Sequence, residues 1–359
     1  MNGGPTYGLL ERLLHRLALG STLAKEVAFD LERLLYLGNA APPAAGDSPV
    51  YVCGLARSGT TILMQTLAQT GHFASATYRS MPFVMAPNLW KRLSGLQRRE
   101  GRLAERSHGD GLQIDYDSPE AFEEVFWSTY CRISTDSGTY RATEPSSEVL
   151  KRFAAYRQLV VLAASAATDS PTRQRYLAKN NNNLLRLPSL CAEQTATVIV
   201  AYREPLATAH SLQRMHLRYQ ALAQADPFTA RYMKWLGHHE FGPWHLPLDI
   251  AVTAMDPALA PDVVDYWLNY WIAIHKHLLR KAHLPLLLVN HDTLRADPQR
   301  VISALYSKLA IEGNPGAMAA RIKPVDDQIP QYPEFSAALC AKAQQIHSAL
   351  RESSLNFRI

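Results

Sequence analysis

Long hydrophobic runs are missing from this chain of 359 residues. No stretch approaches the roughly 18 uninterrupted apolar residues that a membrane-spanning helix requires. Near the start of the chain, Glu11 and Arg12 interrupt the leucines of residues 9–14, so no apolar block of signal-peptide length forms. We therefore expect neither a transmembrane segment nor a secretory signal.

Cysteine is scarce, and an excess of charge of one sign is also missing. The four cysteines are scattered, with no Cys-x-x-Cys pair and no Cys/His cluster. The sequence therefore predicts neither a zinc site nor a disulfide framework, and it favours a reducing compartment. The net charge of +5 suits anionic ligands but does not require nucleic acid as a partner.

Three short β-like runs organise the rest of the chain, and each precedes a turn and a helical pattern. They are Val50–Gly54, Thr197–Tyr202 and Leu286–Asn290. Strands separated by long helical stretches predict an α/β fold with a central parallel sheet and helices on both faces. Ligands of such sheets bind beyond the carboxyl ends of the strands, where these three turns lie.

Leucine-rich patterns at 6–19 and 21–37 predict two amphipathic helices before the sheet. These helices are expected to pack on the core, to pair two copies of the chain, or to lie on a membrane surface. We expect N-terminal helices over 1–45, one main α/β domain over 46–345 and a tail over 346–359. The run of four asparagines at 180–183 is interpreted as too short to matter.

The first predicted strand leads into a glycine-bounded loop and a helix. Gly54 and Gly59 have the spacing of the Walker A loop, but Thr60 stands where Walker A has its lysine, and the cation is Arg57. An ATP γ-phosphate would therefore lack the lysine that normally binds it. An anion beside the start of the loop would instead be contacted by Arg57. The amides that can converge on this anion at the helix N-terminus are those of Ser58, Gly59, Thr60 and Thr61.

The loop residues 57–61, Arg-Ser-Gly-Thr-Thr, resemble the 5′-phosphosulfate loop of the PAPS-dependent sulfotransferases. The same form occurs in tyrosylprotein and many bacterial members of that family. These enzymes move a sulfuryl group from 3′-phosphoadenosine 5′-phosphosulfate (PAPS) to an acceptor hydroxyl and release PAP. The resemblance implies a P-loop-like three-layer fold, PAPS as co-substrate, no metal, and Arg57 as the contact to the phosphosulfate. It also implies a cytoplasmic site, where PAPS is made, or one at the membrane periphery.

Two further segments carry the resemblance. Arg203 closes the second predicted strand and Ser211 follows eight residues later, as in the family's 3′-phosphate motif. An arginine fork with a hydroxyl suits a terminal phosphate, whereas an arginine at the end of a strand, taken alone, equally suits an ion pair with Glu204 or another acid. Lys179 lies in a lysine–asparagine segment that resembles the one placing a cation near the transferring group.

The residue that would take the acceptor proton is not fixed by any motif. Tyrosylprotein sulfotransferases carry a glutamate shortly after the first helix, but the matching stretch here, 75–82, has no carboxylate. His108 lies among glycines and is our first candidate base, since cytosolic sulfotransferases use a histidine. Glu123 and Glu124, in an acidic segment after Asp-Ser-Pro, are the next candidates.

Two segments bear on the acceptor. A basic amphipathic stretch at 90–106 suits an acidic glycan, a lipid head group or a membrane surface, or else an ordinary solvated helix face. The expected acceptor is a glycan, a glycolipid or another small metabolite. An aromatic and histidine-rich segment predicts a pocket wall, although its residues also suit a core: Trp235, His238, His239, Phe241, Trp244 and His245. The alternatives to a sulfotransferase are a P-loop kinase-like enzyme and a non-catalytic nucleotide-binding module.

Overall fold

The structure is a computed structural model that describes residues 8–38, 48–94, 104–105, 113–114, 121–165, 174–225, 227–323, 332 and 334–352. The helices are α1 Leu9–Leu19, α2 Thr22–Tyr36, α3 Thr60–Ala68, α4 Pro87–Ser94, α5 Glu123–Tyr130, α6 Ser147–Ser165, α7 Leu187–Cys191, α8 Pro205–Ala225, α9 Pro227–Trp235, α10 Asp249–Val252, α11 Val264–Arg280, α12 His291–Ala296, α13 Pro298–Leu309, α14 Pro315–Ala319 and α15 Ala337–Glu352. The strands are β1 Val50–Gly54, β2 Phe73–Ala74, β3 Ala104–Glu105, β4 Gln113–Ile114, β5 Ile133–Ser134, β6 Arg141–Ala142, β7 Arg175–Lys179, β8 Thr197–Tyr202 and β9 Leu286–Asn290. Single 3-10 turns lie at Tyr78–Ser80, Asn181–Leu185 and Gly242–Trp244.

A five-stranded parallel sheet with the order β2-β7-β1-β8-β9 forms the centre of the protein. The three strands predicted from the sequence, β1, β8 and β9, are confirmed with the same bounds. The strands β7 and β2 were not predicted. The first has a cation at each end, and the second is only two residues long, so neither shows the apolar run that indicates a buried parallel strand.

Both faces of the sheet are covered by helices, as the sequence predicted. Side chains alternate along β1: Tyr51 and Cys53 belong to one hydrophobic core, and Val50 and Val52 to the other. The larger core includes residues of α5, α6, α8, α11 and α15. The smaller one includes residues of α3, α13 and α14. This is the three-layer α/β fold.

The two N-terminal helices are confirmed as α1 and α2, and a buried carboxylate joins them to the rest of the protein. Glu32 of α2 is completely buried and accepts hydrogen bonds at 2.7 Å from the backbone N and the Nδ2 of Asn88, and at 2.9 Å from the backbone N of Leu89. These donors lie at the start of α4, where a negative charge also interacts favourably with the positive end of the helix dipole. Burial raises the pKa of Glu32, and these hydrogen bonds partly offset that rise.

The last described helix crosses the expected boundary between the main domain and the tail. That boundary was placed at residues 345–346, but α15 continues to Glu352 and buries Ile346 and Leu350 against α11 and α8. Within the described ranges, no helix combines the length and apolar character that a bilayer crossing requires.

We expect Glu32→Ala to lower the free energy of unfolding by about 1–3 kcal/mol, because it leaves buried donors of α4 without an acceptor. Chemical denaturation followed by circular dichroism measures the change. Glu26→Ala, on the same helix but without such partners among the described residues, serves as the control and should change stability by less than about 0.5 kcal/mol. Equal effects of the two substitutions would contradict the capping role.

Candidate active site

The loop between β1 and α3 is a tight backbone cradle. Gly59 has a φ of 91°, and a Cβ added there would lie 2.2 Å from Cδ2 of His291. At the other end, a Cβ on Gly54 would lie 2.3 Å from the carbonyl oxygen of Ala201. Arg57 also adopts a left-handed φ of 69°, which non-glycine residues rarely do. Such backbone conformations are concentrated at functional sites, and successive amides in this arrangement bind anions.

Three buried polar atoms around the cradle fit a phosphate-bearing ligand. Among the described residues, Ser58 Oγ, Arg203 Nε and His291 Nδ1 have no hydrogen-bond partner. Ser58 and His291 are 1% and 6% exposed. A buried polar atom without a partner is costly and indicates a missing ligand, ion or water. Oxygen atoms of a bound phosphate would satisfy Ser58 and Arg203 directly. His291 was missed in the sequence because its position matched the family only loosely.

Arg57 and Ser211, which the sequence assigned to opposite ends of the donor, are in contact. Arg57 Nε donates a hydrogen bond to Ser211 Oγ at 3.0 Å across 154 positions of sequence. Ser211 lies on α8, which begins at Pro205 as predicted. The two motifs therefore form one continuous site. The remaining loop residues, Thr60 and Thr61, open α3.

Arg203 follows β8 directly and faces an acidic neighbour. Its Nε lies 3.8 Å from Oδ1 of Asp292, beyond hydrogen-bond distance. Burial of Asp292 would raise its pKa, but its contacts with His291, the Glu204 amide and Arg203 outweigh that effect and lower the pKa. Glu204, the acid that the sequence offered as a partner, instead accepts hydrogen bonds from the amides of Leu206 and Ala207 in the first turn of α8.

Lys179 ends β7 and is 7% exposed. It lies close enough to Glu240 for its charge to act on that carboxylate. Burial would raise the pKa of Glu240 most strongly, but the charges of His238 and Lys179 and a hydrogen bond from His238 outweigh it, so the pKa lies well below its ordinary value. Glu240 also accepts a hydrogen bond from Asn181 Nδ2 at 3.1 Å. Sequence reasoning missed Glu240, because an isolated glutamate in a loop matches no motif.

The run of four asparagines at 180–183 connects most of these groups, so the interpretation that it is too short to matter is wrong. All four side chains are buried. Their amides donate, in order, to Glu124 at 2.7 Å, to Glu240 at 3.1 Å, to the Gly237 carbonyl at 2.9 Å and to Glu123 at 2.8 Å. Asn181 also accepts a hydrogen bond from Thr60 at 3.4 Å. The run thus ties the phosphate loop to the segment 237–240.

Glu123 and Glu124, two of the candidate bases, lie in the protein interior. Glu124 pairs with both terminal nitrogens of Arg186, at 2.7 and 2.9 Å, and accepts a hydrogen bond from Tyr140 at 2.6 Å. Glu123 accepts hydrogen bonds from Trp127, Asn183 and Tyr176 at 2.8–3.0 Å. Burial raises the pKa of Glu123, and these hydrogen bonds oppose that rise. His108, the first candidate, lies outside the described residues.

A recess of about 360 Å³, including its open mouth, begins at the first half of the phosphate loop. Its polar end is formed by Asn181, Asn182, His239 and Glu240. Its other walls are apolar or aromatic and are formed by Leu55, Ala56, Leu184, Leu212, Leu246, Leu248 and Tyr270, beside Gly54.

The aromatic and histidine-rich segment is divided between this recess and the core. His239 lines the recess, whereas Phe241 and Trp244 are buried against Tyr219 behind it. His239 Nδ1 lies 3.1 Å from the carbonyl oxygen of Trp244, to which it donates, and burial lowers the pKa of His239. Its ring also lies 4.9 Å from that of Tyr140. The imidazole is therefore neutral at pH 7, with Nε2 as its acceptor nitrogen.

We expect Glu124→Gln to lower the free energy of unfolding by about 3–5 kcal/mol, since it leaves the buried Arg186 guanidinium without its counter-charge. Denaturant unfolding measures this change. Glu148→Gln, on the exposed surface of α6, is the matched control and should stay within about 0.5 kcal/mol of the unsubstituted protein. A stability loss below about 1 kcal/mol for Glu124→Gln would show that the pair does not hold this part of the fold.

Comparisons with known proteins agree with this geometry. The profile of the Sulfotransferase family matches residues 49–241, which include the phosphate loop, Lys179, Arg203 and Ser211. The solved sulfotransferase STF1 from Mycobacterium tuberculosis H37Rv is 13% identical, with 95% of this chain and 86% of that chain covered and a TM-score of 0.52. STF9 from Mycobacterium avium is 14% identical, with 97% and 87% covered and a TM-score of 0.52. These two likenesses show the fold.

No curated protein sequence matches the chain. The family profile nevertheless covers more than half of it and spans both anion-binding motifs. The fold likeness extends over nearly the whole length. The loop without the Walker lysine is therefore a feature of this family and does not indicate a kinase. The chain belongs to the sulfotransferase family.

Proposed function

We propose that this sulfotransferase holds PAPS across its two anion-binding motifs and transfers the sulfuryl group to the hydroxyl of a largely apolar, uncharged acceptor in the recess. The observation that carries the proposal is the position of the recess. Residues 54–56 form both the start of the phosphate cradle and one wall of the recess. An acceptor in the recess would therefore lie beside the sulfuryl end of a donor in the cradle.

The donor site is built for two anionic groups. The loop amides and Arg57 would hold the 5′-phosphosulfate at the N-terminus of α3. Arg203 and Ser211 would hold the 3′-phosphate, and the unpartnered Arg203 Nε supports this role. The Arg57–Ser211 hydrogen bond keeps both groups of residues in one site. A guanidinium stays protonated, so Arg57 acts by charge and hydrogen bonding.

In the transfer step, a bond forms between the acceptor oxygen and sulfur while the bond between sulfur and the phosphate oxygen breaks. The departing phosphate keeps that bonding pair and leaves as part of PAP, and the acceptor proton passes to a base. Positive charge on Arg57 and Lys179 stabilises the negative charge that spreads over the moving group and the leaving oxygen. Lys179 is held for this role by the end of β7 and by the nearby carboxylate of Glu240.

The charge and walls of the recess support an uncharged acceptor. Glu240 is ionised and lies at the polar end of the recess, where it would repel a carboxylate or sulfate. The leucines and Tyr270 that also line the recess suit an aliphatic or aromatic body. We therefore propose an apolar alcohol or phenol as acceptor, in place of the acidic glycan that the stretch 90–106 suggested.

We propose His239 as the base. It lines the recess, its Nδ1–H is fixed by the Trp244 carbonyl, and its lowered pKa keeps it neutral at pH 7. Glu240 is a weaker base, since its charged form is strongly favoured. The carboxylates of Glu123 and Glu124 are fully used by buried donors, so we assign them a supporting role. His108 stays a prediction from the sequence.

We expect Arg203→Ala to weaken PAP binding by about 10-fold to 100-fold, since a hydrogen bond to a charged group contributes about 1.5–3 kcal/mol. Isothermal titration calorimetry measures the Kd. Arg280→Ala, at the exposed end of α11, is the control and should bind PAP normally. Equal affinity of the Arg203→Ala variant and the control, or stabilisation of the protein by magnesium–ATP but not by PAP, would contradict the proposed donor site.

We expect His239→Ala to lower kcat by about 10²–10⁴-fold, the usual contribution of a positioned base, with little change in PAP affinity. Assays with labelled PAPS and a panel of apolar alcohols and phenols measure turnover, and His283→Ala, on the exposed surface, is the control. Activity of the unsubstituted enzyme should fall on acidification only through a pKa below the ordinary value of 6.5, because protonation removes the acceptor lone pair. Full turnover of His239→Ala together with loss of turnover in His108→Ala would favour His108 as the base.

A further inference from the structure

The outer surface of α1 and α2 carries a continuous set of exposed aliphatic side chains, which we call the leucine face. Each is between 42% and 89% exposed. Its members are Leu9, Leu10, Leu13, Leu17, Leu23, Val27, Leu31, Leu34 and Leu35. Elsewhere among the described residues, exposed large hydrophobic side chains number only five, each on a different element or loop.

The spacing of these residues places them on one side of each helix. Leu10, Leu13 and Leu17 follow one another at intervals of three and four along α1. On α2, the positions 23, 27, 31 and 34 do the same. Intervals of three and four form the apolar seam of helices that pack side by side with partner helices.

The opposite side of the same two helices is fixed to the protein body, so the leucine face cannot turn inward without breaking existing contacts. Leu19 and Phe29 are buried in the larger core, and Glu32 caps α4. His15 packs edge-on against Tyr232 of α9 at 5.4 Å. The expectation that the amphipathic helices pack on the core is therefore confirmed through this inner side, and that packing leaves the leucine face exposed.

A contiguous apolar face of this kind marks an interaction surface, whereas scattered exposed leucines need no explanation. Its charges favour a protein partner over a membrane. The two helices α1 and α2, here called the N-terminal hairpin, carry four basic and four acidic residues. The basic residues are Arg12, Arg16, Lys25 and Arg33, and the acidic ones are Glu11, Glu26, Asp30 and Glu32. Helices that dock on membranes are rich in Lys and Arg, and this balanced set lacks that excess.

We propose that the leucine face is a homodimer interface, in which the α1 and α2 helices of two copies pack against each other around a two-fold axis. Two adjoining helices that each carry an apolar seam form a surface that the same surface of a second copy can cover. The balance of acidic and basic residues on the two helices also avoids a strong net charge repulsion between two identical copies. This inference is independent of the acceptor and of the base proposed above.

Analytical ultracentrifugation of the full chain between about 0.5 and 100 μM tests the proposal by mass action. We expect a dimer, and the double variant Val27→Glu, Leu31→Glu should be a monomer over the whole range, a weakening of at least about 100-fold. The matched control is Val252→Glu, Leu217→Glu, which introduces the same charges at exposed positions outside the hairpin and should stay dimeric. A monomeric unsubstituted protein at the highest concentration overturns the proposal.

Hydrogen exchange of the unsubstituted protein gives a test that does not depend on the folding of any variant. Dilution across the same range should increase exchange in α1 and α2 selectively. A dimer whose dilution changes exchange elsewhere, or a monomer whose α1 and α2 amides are protected by its own chain, overturns the proposal. Binding of a monomer to phosphatidylglycerol vesicles that the Val27→Glu, Leu31→Glu variant loses also overturns it, in favour of a membrane surface.

Discussion

A buried ion pair between Glu124 and Arg186 holds together the segments that form the polar wall of the active site. Tyr140 and Asn180 complete the hydrogen bonds of the carboxylate. Gly237 packs so closely on the Glu124 side chain that a Cβ there would lie 2.4 Å from Cγ. The pair therefore fixes both the end of β7, where Lys179 lies, and the segment that carries His239 and Glu240. Since both ions are removed from water, neither is tolerable without the other.

Charge divides the site into two halves. The donor side carries Arg57, Arg203 and the loop amides, with Asp292 beside Arg203, and a donor with two anionic groups is expected there. The recess beside it is lined by the ionised carboxylate of Glu240. The charge of Lys179 acts on that carboxylate. This arrangement favours an anionic donor in the cradle and an uncharged acceptor in the recess. Transfer of a charged sulfuryl group to a neutral hydroxyl requires this selectivity.

The N-terminal hairpin combines two opposite surfaces. Its inner side carries aromatic, aliphatic and polar groups that meet specific partners, including the capping carboxylate of Glu32. Its outer side carries the leucine face. Its helix α1 also packs against α9, which leads directly into the segment 237–240 that contributes to the recess.

The sequence alone determined the parts of this protein that depend on local patterns. The strands β1, β8 and β9, the start of α8, the two N-terminal helices and the phosphate loop all follow from short runs whose spacing has a direct physical meaning. The family was predicted from the resemblance of the same loop, and of the Arg203–Ser211 and Lys179 segments, to the sulfotransferases.

Only the tertiary structure decided what depends on residues far apart in the chain. Glu123 and Glu124 look like free acids in sequence, but their partners at Arg186, Tyr176 and Asn183 place both in the interior. The asparagine run looked like a trivial repeat until the fold gave each amide a different partner. Likewise, no periodicity shows which side of an amphipathic helix faces the body. Burial and hydrogen bonding are properties of the assembled neighbours, which a single sequence does not display.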